Sequence, residues 1–246
     1  MRIRIDAPIS RFNTNRVIVH DEYVIKEFRR FLPYDLVGWL WGYVARKPYR
    51  SPRQRYQREK QVLLSLAGKQ LNIPRLINYD DPMLSLTYER IELRPLSDLF
   101  AQSNVPAEQK INLFGQSLRL LRRLHDYKVE HGGALLKNFF LLESPYLDPK
   151  LSVYTCDFEC ERLAEQPYTL DVLMLTAEAV SLSQGDIRPE QALSVVCREY
   201  GPFEPFQFER RDIWFYGYRL GMPIGFFDFF SREHPDVSTL TSKILL

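Results

Sequence analysis

The chain of 246 residues is long enough for one large domain or two small lobes, and its 45% hydrophobic and 26% charged content is an ordinary globular balance. No leading apolar stretch reads as a signal peptide and no run of about 18 apolar residues reads as a membrane span. The net charge of +2 hides an asymmetry: from Arg29 to Lys60 nine bases stand against two acids, a local +7 that leaves −5 for the rest and calls for an anionic partner.

Two strands open the pattern, Arg16–His20 and Glu22–Phe28, both β-branched and aromatic and split by a tight polar turn. An earlier turn is expected at Phe12–Asn15. Leu36–Ala45 is apolar nearly all round, and Lys47–Arg55, with two prolines, reads as a loop. From about Arg53 a helix is expected, with Tyr56, Val62, Leu63 and Leu66 on one face and Gly68 near its end. Ile73–Ile77 leads into a strand, and Leu84–Glu89 is another. After Arg94-Pro95 the pattern turns helical: Leu96–Phe100, then an amphipathic helix over Ala107–His125 with Ile111, Phe114, Leu118, Leu121 and Leu124 on its apolar face. A glycine turn at 132–133 follows. Strands Phe139–Leu142 and Leu151–Thr155 come next, then a helix over Leu170–Leu182 too apolar for the surface, and a helix over Pro189–Tyr200. The stretch from Phe203 is rich in aromatics; its Phe226–Phe230 run reads as core or a partner contact, with an extension of a membrane- or glycolipid-binding surface as the alternative. There is no repeat and no long linker. The expectation is an α+β protein with a small mainly β lobe over residues 1–92 and a larger mainly helical lobe over 93–246.

Cys156, Cys160 and Cys197 leave one over in any disulfide scheme, so a reducing cytoplasm is the natural setting. A metal site on Cys156 and Cys160 lacks a second pair at ligand spacing; buried, inert thiols are the plainer reading. Four other polar residues stand out. Lys26 sits on the apolar strand YVIKEF, where a lone lysine usually faces solvent. Glu59, early on the next helix, is placed to pair with it. Asn138 follows the glycine turn and precedes FFLL; Asp157 follows the strand LSVYTC. Each has a plain reading as a turn former. Together, Asn138 and Asp157 at adjacent strand ends offer the hard oxygens that magnesium prefers.

The order of these residues resembles the protein-kinase-like fold, and in particular the small bacterial lipopolysaccharide core (Kdo/heptose) kinases, over about Arg16 to Asp171. Val24-Ile25-Lys26 resembles the third-strand lysine segment and Arg58-Glu59-Lys60 the helix that carries its partner. The resemblance implies that Lys26 grips the α- and β-phosphates of ATP and that Glu59 orients it. Tyr88-Glu89-Arg90-Ile91 resembles the hinge, so that backbone groups of Glu89 and Ile91 would take the adenine. His131-Gly132-Gly133 stands where the family has His-Gly-Asp, and Asn138 falls where its metal-binding Asn does. Asp157-Phe158-Glu159 stands for Asp-Phe-Gly, which makes Asn138 and Asp157 the implied magnesium ligands. Lys137 is placed to reach the γ-phosphate. Asp171 resembles the buried Asp that braces the catalytic loop.

Two departures stand against this pattern. No glycine precedes Gly38, so the turn at Arg11–Asn15 lacks the residues that let backbone N–H groups approach phosphates. Gly133 has no side chain to orient or deprotonate an acceptor hydroxyl. Asp126, read as the end of its helix, and Glu130, read as facing solvent, are the nearby carboxylates. The implied function is a sugar or glycolipid kinase, or a pseudokinase that keeps nucleotide affinity. In the Arg29–Lys60 insert, Tyr34, Trp39, Trp41 and Tyr43 lie between basic ends. That composition suits a membrane interface at the inner face of the cell membrane, or a phosphorylated glycolipid. The plainer reading is an insert that packs its tryptophans on the small lobe and leaves its arginines solvated. Nothing resembles an RNA-binding motif, so nucleic acid is not favoured.

Overall fold

In the computed structural model, residues 15–29, 51–142, 153–158 and 165–232 are described. Most of the basic insert, the glycine-free turn apart from Asn15, Glu159 and Cys160 lie outside them.

The first layer is a four-stranded antiparallel sheet in the order β1 (Asn15–Val19), β2 (Tyr23–Phe28), β4 (Ser85–Glu89), β3 (Leu76–Asp80). Alternation along β2 turns Lys26 and Phe28 inward, and alternation along β4 does the same for Leu86 and Tyr88. The register sets Lys26 opposite Leu86 and Val24 opposite Tyr88, so the four share one face.

Helix α1 (Pro52–Leu66) covers that face. Its start is a capping box: Ser51 Oγ accepts the Gln54 amide at 3.3 Å, Gln54 Oε1 accepts the Ser51 amide at 2.9 Å, and Pro52 follows. Gly68 ends it at φ +76°, a conformation that costs glycine little. The buried stripe is Arg55, Tyr56, Glu59, Val62, Leu63 and Leu66, so helical spacing itself carries Glu59 inside.

The larger region is built on α3 (Ala107–Asp126) and α4 (Pro167–Leu182), with α2 (Leu96–Phe100) and α5 (Pro189–Glu199) against them. α4 is buried continuously from Thr169 to Ala177 and so forms the centre of this core. A small antiparallel sheet, β5 (Leu93–Pro95), β6 (Phe139–Leu142) and β7 (Val153–Thr155), lies beside α3 and is entered through a 3₁₀ turn at Leu136–Asn138. The aromatic C-terminal stretch forms a short helical turn (Arg210–Asp212), a π-helical segment (Ile213–Arg219) and α6 (Ile224–Phe230). Phe203, Phe206, Phe226, Phe229 and Phe230 are buried there, as the Phe226–Phe230 run implied for core.

Among the described residues no helix is long and apolar enough to cross a membrane.

Candidate functional site

The inward-facing lysine of β2 is held by two carboxylates from distant parts of the chain. Lys26 Nζ lies 2.6 Å from Glu59 Oε2 and 2.6 Å from Asp157 Oδ1. Lys26 and Glu59 are both buried, so the solvent-facing reading of a lone strand lysine does not apply. Tyr88 completes the arrangement by donating its hydroxyl to Glu59 Oε1 at 2.6 Å. Burial first, and then the adjacent Glu59 charge, push the Tyr88 phenol well above its ordinary value, so it remains a donor. The Lys26 ammonium also lies 5.0 Å from the Phe28 ring centroid. A buried carboxylate is stable only when its oxygens are matched, and Glu59 has an ammonium on one and a hydroxyl on the other.

Asn138 and Asp157 meet because β6 and β7 pair with Phe139 opposite Thr155. The Cys156 amide donates to Asn138 O at 3.2 Å, and the Thr155 hydroxyl donates to the same oxygen at 2.9 Å. The Asn138 amide nitrogen donates to Gly133 O at 2.8 Å. Asp157 sits at φ +72°, a strained backbone that Asp tolerates better than most residues and that clusters at functional sites. An amide oxygen and a carboxylate at adjoining strand ends fit a hard divalent cation such as magnesium. Among the described residues there is no cluster of three or more His, Cys, Asp or Glu suited to a metal ion. Cys156 and Cys197 are half-buried rather than buried as expected; partial burial, with the Asp157 charge beside it, pushes the Cys156 thiol well above its ordinary value and disfavours the reactive thiolate.

The glycine turn is fixed from below by α4. The fully buried Asp171 carboxylate accepts the His131 amide at 2.8 Å and the Gly132 amide at 3.0 Å, and lies 3.3 Å from His125 Nε2. His125 Nδ1 reaches Tyr200 Oη at 2.6 Å. His131 packs between the Phe139 and Phe158 rings, at 5.4 and 5.1 Å. Its ring is satisfied as a neutral imidazole. Nδ1 accepts the Gly133 amide at 3.3 Å, while Nε2–H donates at 2.7 Å to a Thr155 oxygen whose own proton goes to Asn138 O. Burial lowers its pKa from the ordinary value of 6.5, against the opposing pull of Asp171 and Asp157.

Gly133 has an unstrained φ, so glycine is not required there by the backbone. A Cβ at this position would lie 3.3 Å from Asn138 Nδ2, a contact that requires a small shift of that amide. The nearby carboxylates are differently placed. Asp126 is exposed at the end of α3 and bonds Arg122 at 3.1 Å. Glu130 does not face solvent, as its charge suggested; it is buried, and its carbonyl accepts from Arg58 at 3.2 Å. The Arg58 contact packs α1 over the segment that leads into the glycine turn, and nothing in the spacing of either residue announced it.

Lys137 is exposed beside Asn138. The preceding amide, Leu136 N–H, donates to Glu178 on α4, whose carboxyl is pushed up by burial against this bond and the Lys137 charge. Glu89 ends β4 and Ile91 follows it. The Glu89 amide donates to Arg75 O at 3.0 Å, and its side chain accepts the Arg75 amide at 2.9 Å. Lys26, Glu59, Asn138 and Asp157 thus converge on one place, with Lys137 next to Asn138. The contributions of Tyr88, Thr155, Tyr200 and Glu178 were not read from the sequence. Only Tyr88 carried a signal, through its two-residue spacing from Leu86.

No protein-family model and no curated protein matches the chain. Among solved structures, a crystal structure of WbdD matches with a TM-score of 0.52 and 15% identity over 96% of this chain and 49% of that one. The chain therefore spans about half the length of that structure. A MAP kinase from Leishmania major matches with a TM-score of 0.47 and 14% identity over 86% of this chain and 69% of its own. At such identities the likeness concerns fold alone. With its small antiparallel-sheet lobe, its larger helical region and its likeness to WbdD, the chain has a two-lobed, protein-kinase-like α+β fold.

Proposed function

We propose that this chain is an ATP-dependent phosphotransferase of the lipopolysaccharide core (Kdo/heptose) kinase type, acting with magnesium on a sugar or glycolipid hydroxyl. The observation that carries the reading is Lys26, held 2.6 Å from both Glu59 and Asp157, with Asn138 at the entry to the adjoining strand β6. In this reading Lys26 binds the α- and β-phosphates and Glu59 orients it. Asn138 and Asp157 hold the metal, and backbone groups of Glu89 and Ile91 take the adenine. Lys137 offsets charge at the γ-phosphate. ATP, when bound, would supply the phosphoryl group and magnesium would offset its charge, while the chain's own residues contribute positioning and charge stabilisation. The nucleotide lies between lobes of residues 1–92 and 93–246. The +7 segment at 29–60 offers a surface for a glycolipid or for the anionic inner face of the cell membrane.

A specific observation favours a second reading, a pseudokinase that binds nucleotide or partners without efficient transfer. Gly133 offers no group to take the acceptor proton, help that is typically worth about 10²–10⁴-fold.

Thermal melting with and without ATP and magnesium tests the nucleotide half. A metal-dependent rise in Tm that disappears in Asp157→Asn is expected for both readings; no rise in the parent sinks both. Turnover of ATP with lipopolysaccharide core sugars then divides them.

A further inference from the structure

The strongest surface feature away from the site lies in the aromatic C-terminal stretch. Trp214 and Tyr218 project from the π-helical segment, 50% and 80% exposed, with rings stacked at 6.2 Å and 21°. Ile213 beside them is 52% exposed, and Ile224, at the start of α6, is 81% exposed. The opposite side of the same segment is anchored. Tyr216 is buried against Phe226, and Gly217 lies so close to Phe227 that a Cβ would meet that ring at 3.5 Å. The outward residues are therefore presented by a packed base rather than by a loose end. Four large apolar side chains are turned to water between Ile213 and Ile224, and the stacked Trp214 and Tyr218 make a contiguous ring pair among them.

We propose that this patch docks on an anionic membrane surface, with Trp214, Tyr218, Ile213 and Ile224 seated at headgroup level. Tryptophan and tyrosine favour the membrane–water boundary because an apolar ring and a polar edge are both served there. Arg210 and Arg219 are exposed at the two ends of the segment, and Glu209 is already paired with Arg211 at 2.9 Å. Over 209–232 four arginines stand against Glu209, paired with Arg211, the buried Asp212 and the exposed Asp228, so the exposed Arg210 and Arg219 leave a small positive excess that suits anionic headgroups. A second copy of the chain fits less well, since stable protein interfaces engage about 20–30 residues a side. This docking is independent of the phosphotransferase reading and of the segment at 29–60.

The chain has three tryptophans, Trp39, Trp41 and Trp214, so Trp39→Phe/Trp41→Phe leaves Trp214 as the sole reporter. Phosphatidylcholine vesicles with phosphatidylglycerol should shift its emission to the blue, and less so as salt rises. Vesicles of phosphatidylcholine alone should not. In co-sedimentation, Tyr218→Ser/Ile224→Ser should bind the anionic vesicles at least about tenfold more weakly, with an unchanged Tm because both side chains are exposed. An unshifted Trp214, or a variant that pellets like the parent, overturns the proposal. So does a parent dimer that Tyr218→Ser dissociates without affecting pelleting. Loss of the ATP-dependent Tm rise would bear on the nucleotide reading alone.

Discussion

Asp171 is the residue whose removal should cost the fold most for the fewest atoms. Its carboxylate is fully buried and takes two backbone amides, His131 and Gly132, with His125 Nε2 at 3.3 Å. Asp171→Ala leaves those donors in a site closed to water. Each orphaned buried donor costs about 1–3 kcal/mol, which puts the total for the two amides at roughly 2–6 kcal/mol. That is a large fraction of the ~5–15 kcal/mol by which a domain is stable. Asp171→Asn keeps one acceptor oxygen but turns an NH₂ towards an N–H, so about half the loss, roughly 1–3 kcal/mol, is expected. Urea denaturation measures the difference, and hydrogen exchange at the His131 and Gly132 amides locates it. A loss below about 1 kcal/mol in Asp171→Ala, or unchanged protection at Gly132, refutes the view that this carboxylate braces the turn.

Two further outcomes follow from the same turn. Because burial lowers the His131 pKa, folded and unfolded chains are both neutral at this residue well above about pH 6.5, and its contribution is flat there. Below that pH the unfolded chain takes up the proton first, so stability falls as pH drops from 6.5 towards the folded pKa. The parent's urea midpoint should therefore fall more steeply on acidification than that of His131→Gln, and parallel curves would contradict the assignment. Gly133→Asp should fold with a penalty of about 1–3 kcal/mol, since its Cβ needs only a small movement of the Asn138 amide while the added carboxylate is partly desolvated. A larger loss in denaturant would mean that the glycine is structurally required. A gain in phosphoryl transfer on wild-type-like stability would mark the parent as a kinase that has lost its base.

The elements were largely legible because their apolar spacing is clean. The stripe Tyr56, Val62, Leu63, Leu66 and the stripe Phe114, Leu118, Leu121, Leu124 both lie inside as the helical period requires. Glu59 was legible as a partner for Lys26 from its place early on the next helix, and the resemblance strengthened that pairing; strand statistics alone put a lone lysine outside. The site's supporting groups were not legible, for a physical reason. The bond from His131 to Thr155 spans 24 residues and that from His125 to Tyr200 spans 75, and both depend on how separate elements pack rather than on any local period. Glu130 misled because charge implies exposure only until a neighbour such as Arg58 closes over the segment that carries it.

The two ion pairs of Lys26 are unequal in what holds them. The Glu59 side chain is 2% exposed and belongs, like Lys26, to the sheet-and-helix lobe, whereas Asp157 is 29% exposed and sits at the end of β7 in the other. The first pair is shielded from ions in solution; the second is open to them. Lys26 and Glu59 therefore travel as one preassembled unit, and the contact with Asp157 acts as a latch that bulk electrolyte can loosen. Any opening between the lobes breaks a single partly hydrated ion pair at this point and leaves the lysine's charge still compensated.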